Sequence, residues 1–314
     1  MSLMNMKKCA VLGDINIDII TPPFVLPEDE SSCVLDEFTL SLGGNAANVA
    51  ASLAALEAEH EFHGVTGDGA ISQWIQQRCA GLGMNTRLIP LKDHSSGITF
   101  AMTFLGGRRQ FIATLGTNKL LKLKYIDEKR ILLSDHLHRA GFWYTPGLLG
   151  SPNQYLMKSM ISEGKQTSLD VGWDPDGYPE THREILYDVL EYTQFFFLNM
   201  KEMRAITGYN DIDKGLEMLL QISTHVDKPV VILHQGPAGS LIATRCKRIK
   251  IETADVPQNN PTGTGDIYNA GFIYGLLNEW DLKKCGYFAD KLATTHLADV
   301  NTIYPTMADI NSAH

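Results

Sequence analysis

The amino-acid sequence predicts an α/β fold in which a doubly wound, mostly parallel sheet is flanked by helices and carries a small β lid. Two observations support this prediction. From Asp127 onward, segments of helical length alternate with short apolar runs, and such alternation is typical of parallel βαβ units. Nearer the amino terminus, two alternating apolar and polar segments flank a Gly-Gly turn, which is the pattern of a β-hairpin.

The predicted elements follow the chain in order. The first strand covers Lys8 to Leu12, a second covers Glu61 to Val65, and an amphipathic helix covers Ile71 to Leu82. The hairpin pairs 97–104 with 109–114 around a turn that contains Gly106 and Gly107. Beyond it we predict helices at 127–137, 152–164, 181–193, 212–224 and around 282–300, and strands at 138–144, 167–171, 194–199 and 229–234.

No linker or internal repeat divides the chain, which predicts a single domain over 1–314. Segment 19–42 is irregular and contains prolines and acidic residues, so it is poor material for a core. Two alternating pieces around Val34 to Leu40 predict exposed strands within it. We expect this segment and the hairpin segment 96–115 to form the lid.

Composition limits the classes of protein that the chain can represent. Its 314 residues are long enough for one large α/β domain. With 27 Lys and Arg against 36 Asp and Glu, the net charge is -9, which argues against nucleic acid or a membrane as a partner. Five cysteines without a C-x-x-C pair, and no apolar run near the roughly 18 residues of a membrane span, predict a cytoplasmic protein.

The sequence 259–272 (NNPTGTGDIYNAGF) is a turn cluster that leads into an apolar stretch with helical spacing. We predict a helix that buries one face and has its glycines at the N-terminus, where free amides and the macrodipole favour an anion. A carboxylate at such a place, here Asp266, suits a base that takes the proton from a hydroxyl as this hydroxyl attacks a phosphate. The alternative is an ordinary capped helix, with Thr262 or Thr264 as N-cap.

A second glycine entry precedes an alanine-rich helix. Gly43 and Gly44 come just before Asn48, and small residues behind them allow close packing on a sheet. Upstream, Asp14, Asn16 and Asp18 alternate after the first strand, so their side chains share one side if the backbone is extended. Asp14 is as well explained by a cap on the strand end as by a function.

Asn-Pro-Thr-Gly-Thr-Gly-Asp, an aromatic residue and Asn-Ala-Gly-Phe together resemble the C-terminal signature of the PfkB/ribokinase-like carbohydrate kinases. The Gly-Gly-x-x-x-Asn run resembles that family's N-terminal signature. The resemblance implies a ribokinase-like fold and transfer of the γ-phosphate of ATP to a hydroxyl. It assigns catalysis to Asp266, with an anion hole at Gly263, Thr264 and Gly265, and acceptor contacts to Asp18, Asn16, Gly43, Gly44 and Asn48.

Two further stretches resemble the family's nucleotide site. Asn199 and Glu202 follow a buried strand with the Asn-x-x-Glu spacing found beside nucleotide phosphates and Mg²⁺, where Glu202 would act mostly through water; capping alone also explains the pair. His234, Gly236 and Gly239 follow another strand and resemble the ATP-binding turn. The cofactors implied are ATP and Mg²⁺. Asn260 replaces the usual aspartate near a monovalent-cation loop, which leaves potassium dependence open.

The acceptor is expected to be a sugar or a sugar-derived molecule. Arg109 could reach a charged group on it, although a surface hairpin charge is the simpler interpretation. Alternatives are a nucleoside kinase of the same fold, a kinase of phosphorylated sugars, and a family member that binds ligands without turnover. The lid could also pair two copies of the chain into a homodimer. No Gly-x-x-x-x-Gly-Lys-Ser/Thr string supports a P-loop kinase, and no Gly-x-Gly-x-x-Gly follows the first strand.

Overall fold

The structure is a computed structural model that describes residues 7–29, 31–106 and 108–312. Its strands are β1 (Cys9–Leu12), β2 (Asn16–Ile20), β3 (Thr39–Gly43), β4 (His60–Thr66), β5 (Thr86–Pro90), β6 (Ser96–Thr103), β7 (Arg109–Gly116), β8 (His136–Arg139), β9 (Gln166–Asp170), β10 (Phe195–Asn199), β11 (Val230–His234), β12 (Ser240–Thr244) and β13 (Arg248–Ile251). Its helices are α1 (Asn45–Ala55), α2 (Ala70–Gly81), α3 (Glu128–Leu132), α4 (Ser151–Ser162), α5 (Glu180–Leu190), α6 (Met200–Thr207), α7 (Ile212–Ile222), α8 (Thr264–Leu277), α9 (Leu282–Ala298) and α10 (Met307–Ser312).

Nine strands form the central sheet, in the order β13-β12-β11-β10-β9-β8-β1-β4-β5. From β11 to β5 all neighbours are parallel, whereas β12 and β13 pair antiparallel at one edge. The predicted mostly parallel α/β fold is therefore confirmed. The carboxyl ends of the parallel strands share one edge of the sheet, where open α/β sheets bind ligands.

Both faces of this sheet are covered, which explains why its strands are almost continuously apolar. In β10, Phe195 and Phe197 pack into the cluster that contains α1, α8 and α9, while Phe196 and Leu198 pack into the cluster on the opposite face. Helix α8 contacts both α1 and α9. The prediction that α8 buries one face is wrong, because nearly every residue from Asp266 to Leu277 is buried.

A second, small sheet has the order β3-β2-β6-β7, with β6 and β7 forming the predicted hairpin. Gly107, one of the two predicted turn glycines, lies outside the described residues. The small sheet begins at Asn16, three residues before the expected start of the first insertion, because β2 pairs with β6 from Asn16↔Gly97 onward. The strands expected around 34–40 are present only from Thr39.

The segment 127–144 departs most from its predicted elements. Helix α3 ends at Leu132, and β8 covers His136–Arg139 instead of 138–144. The strand starts early because His136 pairs with both Cys9 and Gln166 in the sheet. It ends early because Gly141 has φ 61°, a conformation that leaves the extended region. The antiparallel edge strands β12 and β13 had no counterpart among the predicted strands.

Candidate active site at the carboxyl edge of the sheet

A cavity of about 760 Å³ opens at the carboxyl edge of the parallel strands. Residues from three strand ends and from the start of α8 line it, which brings together parts of the chain far apart in sequence. Among the predicted site residues its lining contains Glu202, His234, Gly236, Gly239, Asn199, Gly263, Thr264, Gly265 and Asp266. The nucleotide-side and anion-hole predictions therefore converge on one cavity.

The N-terminus of α8 is open to a ligand. Gly263 is its N-cap, with φ 80° in the left-handed region, and no side chain caps the helix. The alternative with Thr262 or Thr264 as cap is therefore wrong: the Thr264 hydroxyl donates backward to the Asn260 and Pro261 carbonyls. A Cβ at Gly265 would meet no atom within 4 Å, so the backbone there faces open space. Uncapped amides and a helix dipole are the features that favour an anion at a helix N-terminus.

Asp266 lies in the first turn of α8 and is only 7% exposed. Its Oδ2 accepts a hydrogen bond from Asn48 Nδ2 at 2.9 Å, which joins the two glycine-rich motifs across 218 residues. Burial raises the pKa of Asp266 well above its ordinary value, Asp170 adds repulsion, and the Asn48 hydrogen bond opposes both. A strongly perturbed pKa on a buried carboxyl in a cleft marks Asp266 as a candidate functional residue.

Other carboxyl groups converge on the same region. Burial, followed by repulsion from Asp170, raises the pKa of Glu202, and burial raises the pKa of Asp170. Asp170 ends β9, and its Oδ2 accepts a 2.5 Å hydrogen bond from Asn269 of α8. Burial also raises the pKa of Asp18 to about 6. Closely spaced buried carboxylates repel each other, and a divalent cation would relieve that repulsion.

The residues predicted to contact the acceptor lie on β2 and on the elements next to it. Asn16 Nδ2 donates to Asp18 Oδ1 at 2.6 Å and lies 3.0 Å from Thr99 Oγ1, so a cluster of polar side chains faces inward from the small sheet. A Cβ at Gly43 would collide with the Asp18 carboxylate, which explains the glycine. Gly44, with φ 101°, is the N-cap of α1.

Asp14 has a structural role. Its two carboxylate oxygens accept hydrogen bonds from the Asn45 and Ala46 amides, so it caps α1 from outside the helix. Buried Arg139 lies near enough to lower its pKa, while burial raises it. The sequence had left open a cap on the strand end or a function for Asp14; the structure shows a cap on the start of α1 instead.

Asn199 and Glu202 form a capping box. The Asn199 side chain accepts from the Lys201 and Glu202 amides, and Glu202 Oε2 accepts from the Asn199 amide at 2.8 Å. Capping does not remove Glu202 from the site, because the residue is 5% exposed and lines the cavity. The pair therefore both caps α6 and presents a carboxylate to the cavity.

His234 is uncharged near neutral pH, and contacts with α8 hold its ring in place. Its Nε2 lies 3.1 Å from Asn269 Oδ1, and its ring packs edge-on against Tyr268 at 4.7 Å. Burial lowers its pKa to about 4, so it offers no positive charge to a phosphate near neutral pH. Gly236 and Gly239 follow with φ 58° and 84°, and a Cβ at Gly239 would collide with the Ile251 carbonyl.

Arg109 leaves the hairpin and reaches the loop before α8. Its Nη1 donates to Thr262 Oγ1 at 2.9 Å across 153 residues, so the arginine joins the small sheet to the glycine loop. Asn260 in the same loop lies 3.3 Å from His296 Nδ1, and His296 Nε2 lies 2.9 Å from the Thr262 carbonyl. His296 of α9 therefore contacts both Asn260 and Thr262 and supports the loop before α8.

Sequence reasoning missed four residues of this site: Asp170, Asn269, Thr99 and Tyr304. Asp170 ends a predicted strand, so the rule that ligands bind at carboxyl ends could have found it. Asn269 lies one turn after Asp266 on the same helix. Thr99 and Tyr304 depend on pairing and packing that no local pattern predicts.

Comparison with known proteins gives a consistent family. The family model described as pfkB family carbohydrate kinase matches residues 6–309. A nucleoside kinase of Methanocaldococcus jannaschii is 37% identical over 122 residues, which are 38% of this chain and 36% of that protein, so the match spans about a third of the relative's length. An ATP-dependent ribose-1-phosphate kinase of Halopiger xanaduensis is 23% identical over 279 residues, 88% of each chain.

A solved structure confirms the fold. The Arabidopsis thaliana ribokinase complexed with ribose and ATP superposes with a TM-score of 0.80 at 19% identity, covering 98% of each chain. At this identity the likeness establishes the ribokinase-like architecture and nothing finer. In the part of the chain that the structure describes, no helix is long and apolar enough to cross a membrane.

Proposed function

The chain belongs to the pfkB family of carbohydrate kinases, and we propose that it transfers the γ-phosphate of ATP to a hydroxyl of a sugar or sugar-derived acceptor with Asp266 as general base. The observation that carries this proposal is the 2.9 Å hydrogen bond between Asn48 and Asp266, which brings a buried carboxyl at an uncapped helix end to the entry of α1. The start of α8 would bind the transferred phosphoryl group, and the entry of α1 would hold the attacking hydroxyl, so the two helix starts would serve a single reaction.

In this mechanism the acceptor lies between the small sheet and α1. The Asp18 carboxylate and the free Oδ1 of Asn16 accept hydrogen bonds from its hydroxyl groups, because both amide protons of Asn16 are donated to Asp18 and Thr99. Gly43 and Gly44 allow its close approach. Asn48 has one amide proton left for the acceptor after its bond to Asp266. Asp266 takes the proton of the attacking hydroxyl, which can occur only while its carboxylate is ionised.

The transferring phosphoryl group would be stabilised at the start of α8. The amides of Gly263, Thr264 and Gly265, together with the helix dipole, face developing negative charge without a side-chain cap to displace. ATP would extend along the cavity past Asn199, His234, Gly236 and Gly239. The neutral state of His234 suits contact with the nucleotide through hydrogen bonding or packing instead of charge.

The carboxyl groups of Glu202 and Asp170 fit a magnesium site in their chemistry, since both line the cavity and both have raised pKa values. Mg²⁺ bound there, partly through water, would neutralise phosphate charge during transfer. Asn260 offers an amide oxygen in place of a carboxylate to a monovalent cation, so activity in sodium and potassium buffers should be compared.

We propose that the small sheet acts as the lid and that its outer face pairs with a second copy. Leu40, Phe100 and Ile112 share one row of that sheet and are 43%, 44% and 61% exposed. A large exposed apolar patch favours association. The double substitution Phe100→Ser and Ile112→Ser should convert a dimer to monomers in light scattering, while Leu133→Ser just after α3 should not; a wild-type monomer would contradict this assembly.

A coupled ADP-release assay tests the kinase proposal. Ribose, adenosine and ribose 1-phosphate represent a neutral sugar, a nucleoside and an anionic sugar, and at least one class should stimulate ADP release above the acceptor-free rate. Asp266→Asn should abolish that stimulation while an ATP analogue still binds. Stimulation that survives in Asp266→Asn would remove the residue from its role. Absence of stimulation by any acceptor would favour the non-catalytic alternative.

The sugar and nucleoside alternatives require different side chains around the acceptor. Asp18, Asn16 and Thr99 form a polar cluster suited to a polyol, which favours a sugar hydroxyl array. Among basic side chains of the hairpin, Arg109 is committed to Thr262 and Arg108 lies 5.3 Å from the Phe104 ring. Neither observation favours a phosphorylated sugar over a neutral one.

A further inference from the structure

Tyr304 reaches the site from the far end of the chain. It lies in the irregular segment between α9 and α10, and its hydroxyl donates to Asn48 Oδ1 at 2.9 Å across 256 residues. Its ring packs against the apolar cluster of Leu56, Ile267, Leu292 and Ile310, which fixes the position of the hydroxyl. The phenol and the carboxyl of Asp266 therefore hold the two ends of one amide.

This arrangement sets the direction of the Asn48 amide. In the structure the Tyr304 hydroxyl donates to Asn48 Oδ1 while Nδ2 donates to Asp266, so the two bonds together hold the amide with its nitrogen toward the carboxyl group. An N–H donor stabilises the ionised carboxylate in preference to its protonated form. If the amide turned over, its oxygen would face Asp266 and would stabilise the protonated acid, which cannot accept a proton.

We propose that Tyr304 is a positioning residue that, through Asn48, favours the ionised form of Asp266, which is the form that accepts the proton of the acceptor hydroxyl. This inference rests on the proposed role of Asp266 as general base. It extends that role to a residue outside both glycine motifs. The effect is indirect, since the hydroxyl of Tyr304 contacts Asn48 and not the carboxylate itself.

The other charged groups around Asn48 and Asp266 either oppose ionisation of Asp266 or are not altered when the Tyr304 hydroxyl is removed. Asp170 of β9, Asp14 of the loop after β1, and Asp18 of β2 all raise the pKa of Asp266 by repulsion. Asp18 also faces Tyr304, as do Arg78 and Cys79 of α2. Among the described residues that influence Asp266, Asn48 lowers its pKa, so the amide and its phenol partner oppose the surrounding acids.

Tyr304→Phe is the direct variant, because it removes one oxygen atom and keeps the packed ring. Tyr187→Phe is the matched control: the Tyr187 hydroxyl also makes a partly buried bond, to the Ile206 carbonyl at 2.7 Å, outside the site. Thermal unfolding of both variants measures the structural cost of losing a hydroxyl. A positioning role requires, in addition, a change in the titration of Asp266.

The titration can be measured without knowing the acceptor. In protein labelled with ¹³C at aspartate side-chain carboxyls, the resonance lost in Asp266→Asn identifies Asp266, and its pKa is read from the shift against pH. Tyr304→Phe should raise that pKa by about half a unit to one unit, an effect typical of a lost hydrogen bond. Tyr187→Phe should leave it unchanged. An unchanged pKa in Tyr304→Phe overturns the inference.

Kinetics separate this inference from the proposed function. With whichever of ribose, adenosine or ribose 1-phosphate is phosphorylated, the acid limb of the kcat/KM profile should move to higher pH in Tyr304→Phe. Adding Tyr304→Phe to Asn48→Ala should move it no further, because the phenol acts through that amide. If Asp266→Asn retains turnover, the proposed function fails. If Asp266→Asn is inactive and Tyr304→Phe leaves the acid limb in place, only the positioning role fails.

Discussion

Buried acidic side chains occupy both ends of the central sheet, and their surroundings are opposite. At the amino end, the Glu61 side chain on β4 has no solvent exposure and is paired with Lys8 at 2.5 Å, Arg130 at 2.6 Å and Arg87 at 3.2 Å. These ion pairs hold its pKa well below the ordinary value, despite desolvation. A buried carboxylate paired in this way stays ionised and fixes the elements that carry its partners.

At the carboxyl end, Asp18, Asp170, Glu202 and Asp266 have no such partners. No ion pair joins any of the four to a lysine or arginine within residues 7–29, 31–106 and 108–312. Burial and mutual repulsion raise their pKa values instead. The difference separates an acid that stabilises the fold from acids that are costly to bury, which under the proposed function serve a ligand or proton transfer.

Removing the charge of Glu61 should give the largest change in stability. Glu61→Gln leaves Lys8, Arg87 and Arg130 without their shared partner, and because these three side chains are partly solvated we expect the free energy of unfolding to fall by about 1–3 kcal/mol. Urea denaturation measures it. The exposed neighbour Glu59→Gln is the control and should change stability by less than about 0.5 kcal/mol. A cost for Glu61→Gln as small as that of the control would show that the network does not stabilise the fold.

The two ends should respond to pH in opposite directions. Asp18 has a folded pKa of about 6, above its unfolded value of 3.8, so the native state binds more protons between these values. Stability should therefore fall as pH rises from about 4 to 6, by about 1.4 kcal/mol per pH unit for each extra proton bound. Glu61 has a lowered pKa, so its contribution is lost as pH falls below about 4.

Denaturation curves from pH 3 to 8 measure this dependence. We expect a stability maximum on the acid side of neutrality in the free protein, and the decline above it should become shallower in Asp18→Asn. A decline that is equally steep in Asp18→Asn would show that Asp18 is not its source.

Gly265→Ala separates a glycine needed by a ligand from one needed by the fold. A Cβ there meets no protein atom within 4 Å, so the free energy of unfolding should stay equal or rise by up to about 1 kcal/mol. Affinity for an ATP analogue or turnover should fall about 10-fold or more, because the methyl group occupies the anion site. Gly69→Ala, also open to space, is the control; equal affinities in both variants would remove Gly265 from the phosphate site.

Arg109→Ala should have the smallest effect. It removes a partly exposed hydrogen bond between the hairpin and Thr262, and we expect KM for the acceptor to rise by about 2- to 10-fold with little change in stability. Arg108→Ala removes the same charge from the same hairpin without that bond. Equal KM values in the two variants would show that the Thr262 contact is unimportant.

Local sequence patterns predicted much of the fold and part of the candidate site. Alternation of apolar runs located β9, β10 and β11 because buried parallel strands must be apolar on both faces. The edge strands β12 and β13 gave weaker patterns, and the helix predicted over 127–137 ran into β8 because Ile131, Leu132 and Leu137 continue an apolar spacing that only sheet pairing interrupts.

The site divides in the same way. Gly263, Gly265 and Asp266 could be predicted as site residues because glycines before an apolar helix mark a helix N-terminus, where free backbone amides favour an anion. That Asp14 caps α1, that Asn269 links His234 to Asp170, and that Tyr304 donates a hydrogen bond to Asn48 could not be predicted. Each contact joins residues that are far apart in sequence.

The central claim is that Asp266 is buried at a cost to stability so that it can accept a proton. Turnover and the free energy of unfolding of Asp266→Asn, measured on the same preparation, test it most directly. We predict that turnover falls about 100- to 10,000-fold while the free energy of unfolding at pH 7 is unchanged or higher. Retained turnover, or a loss of stability comparable to that of Glu61→Gln, would contradict the account.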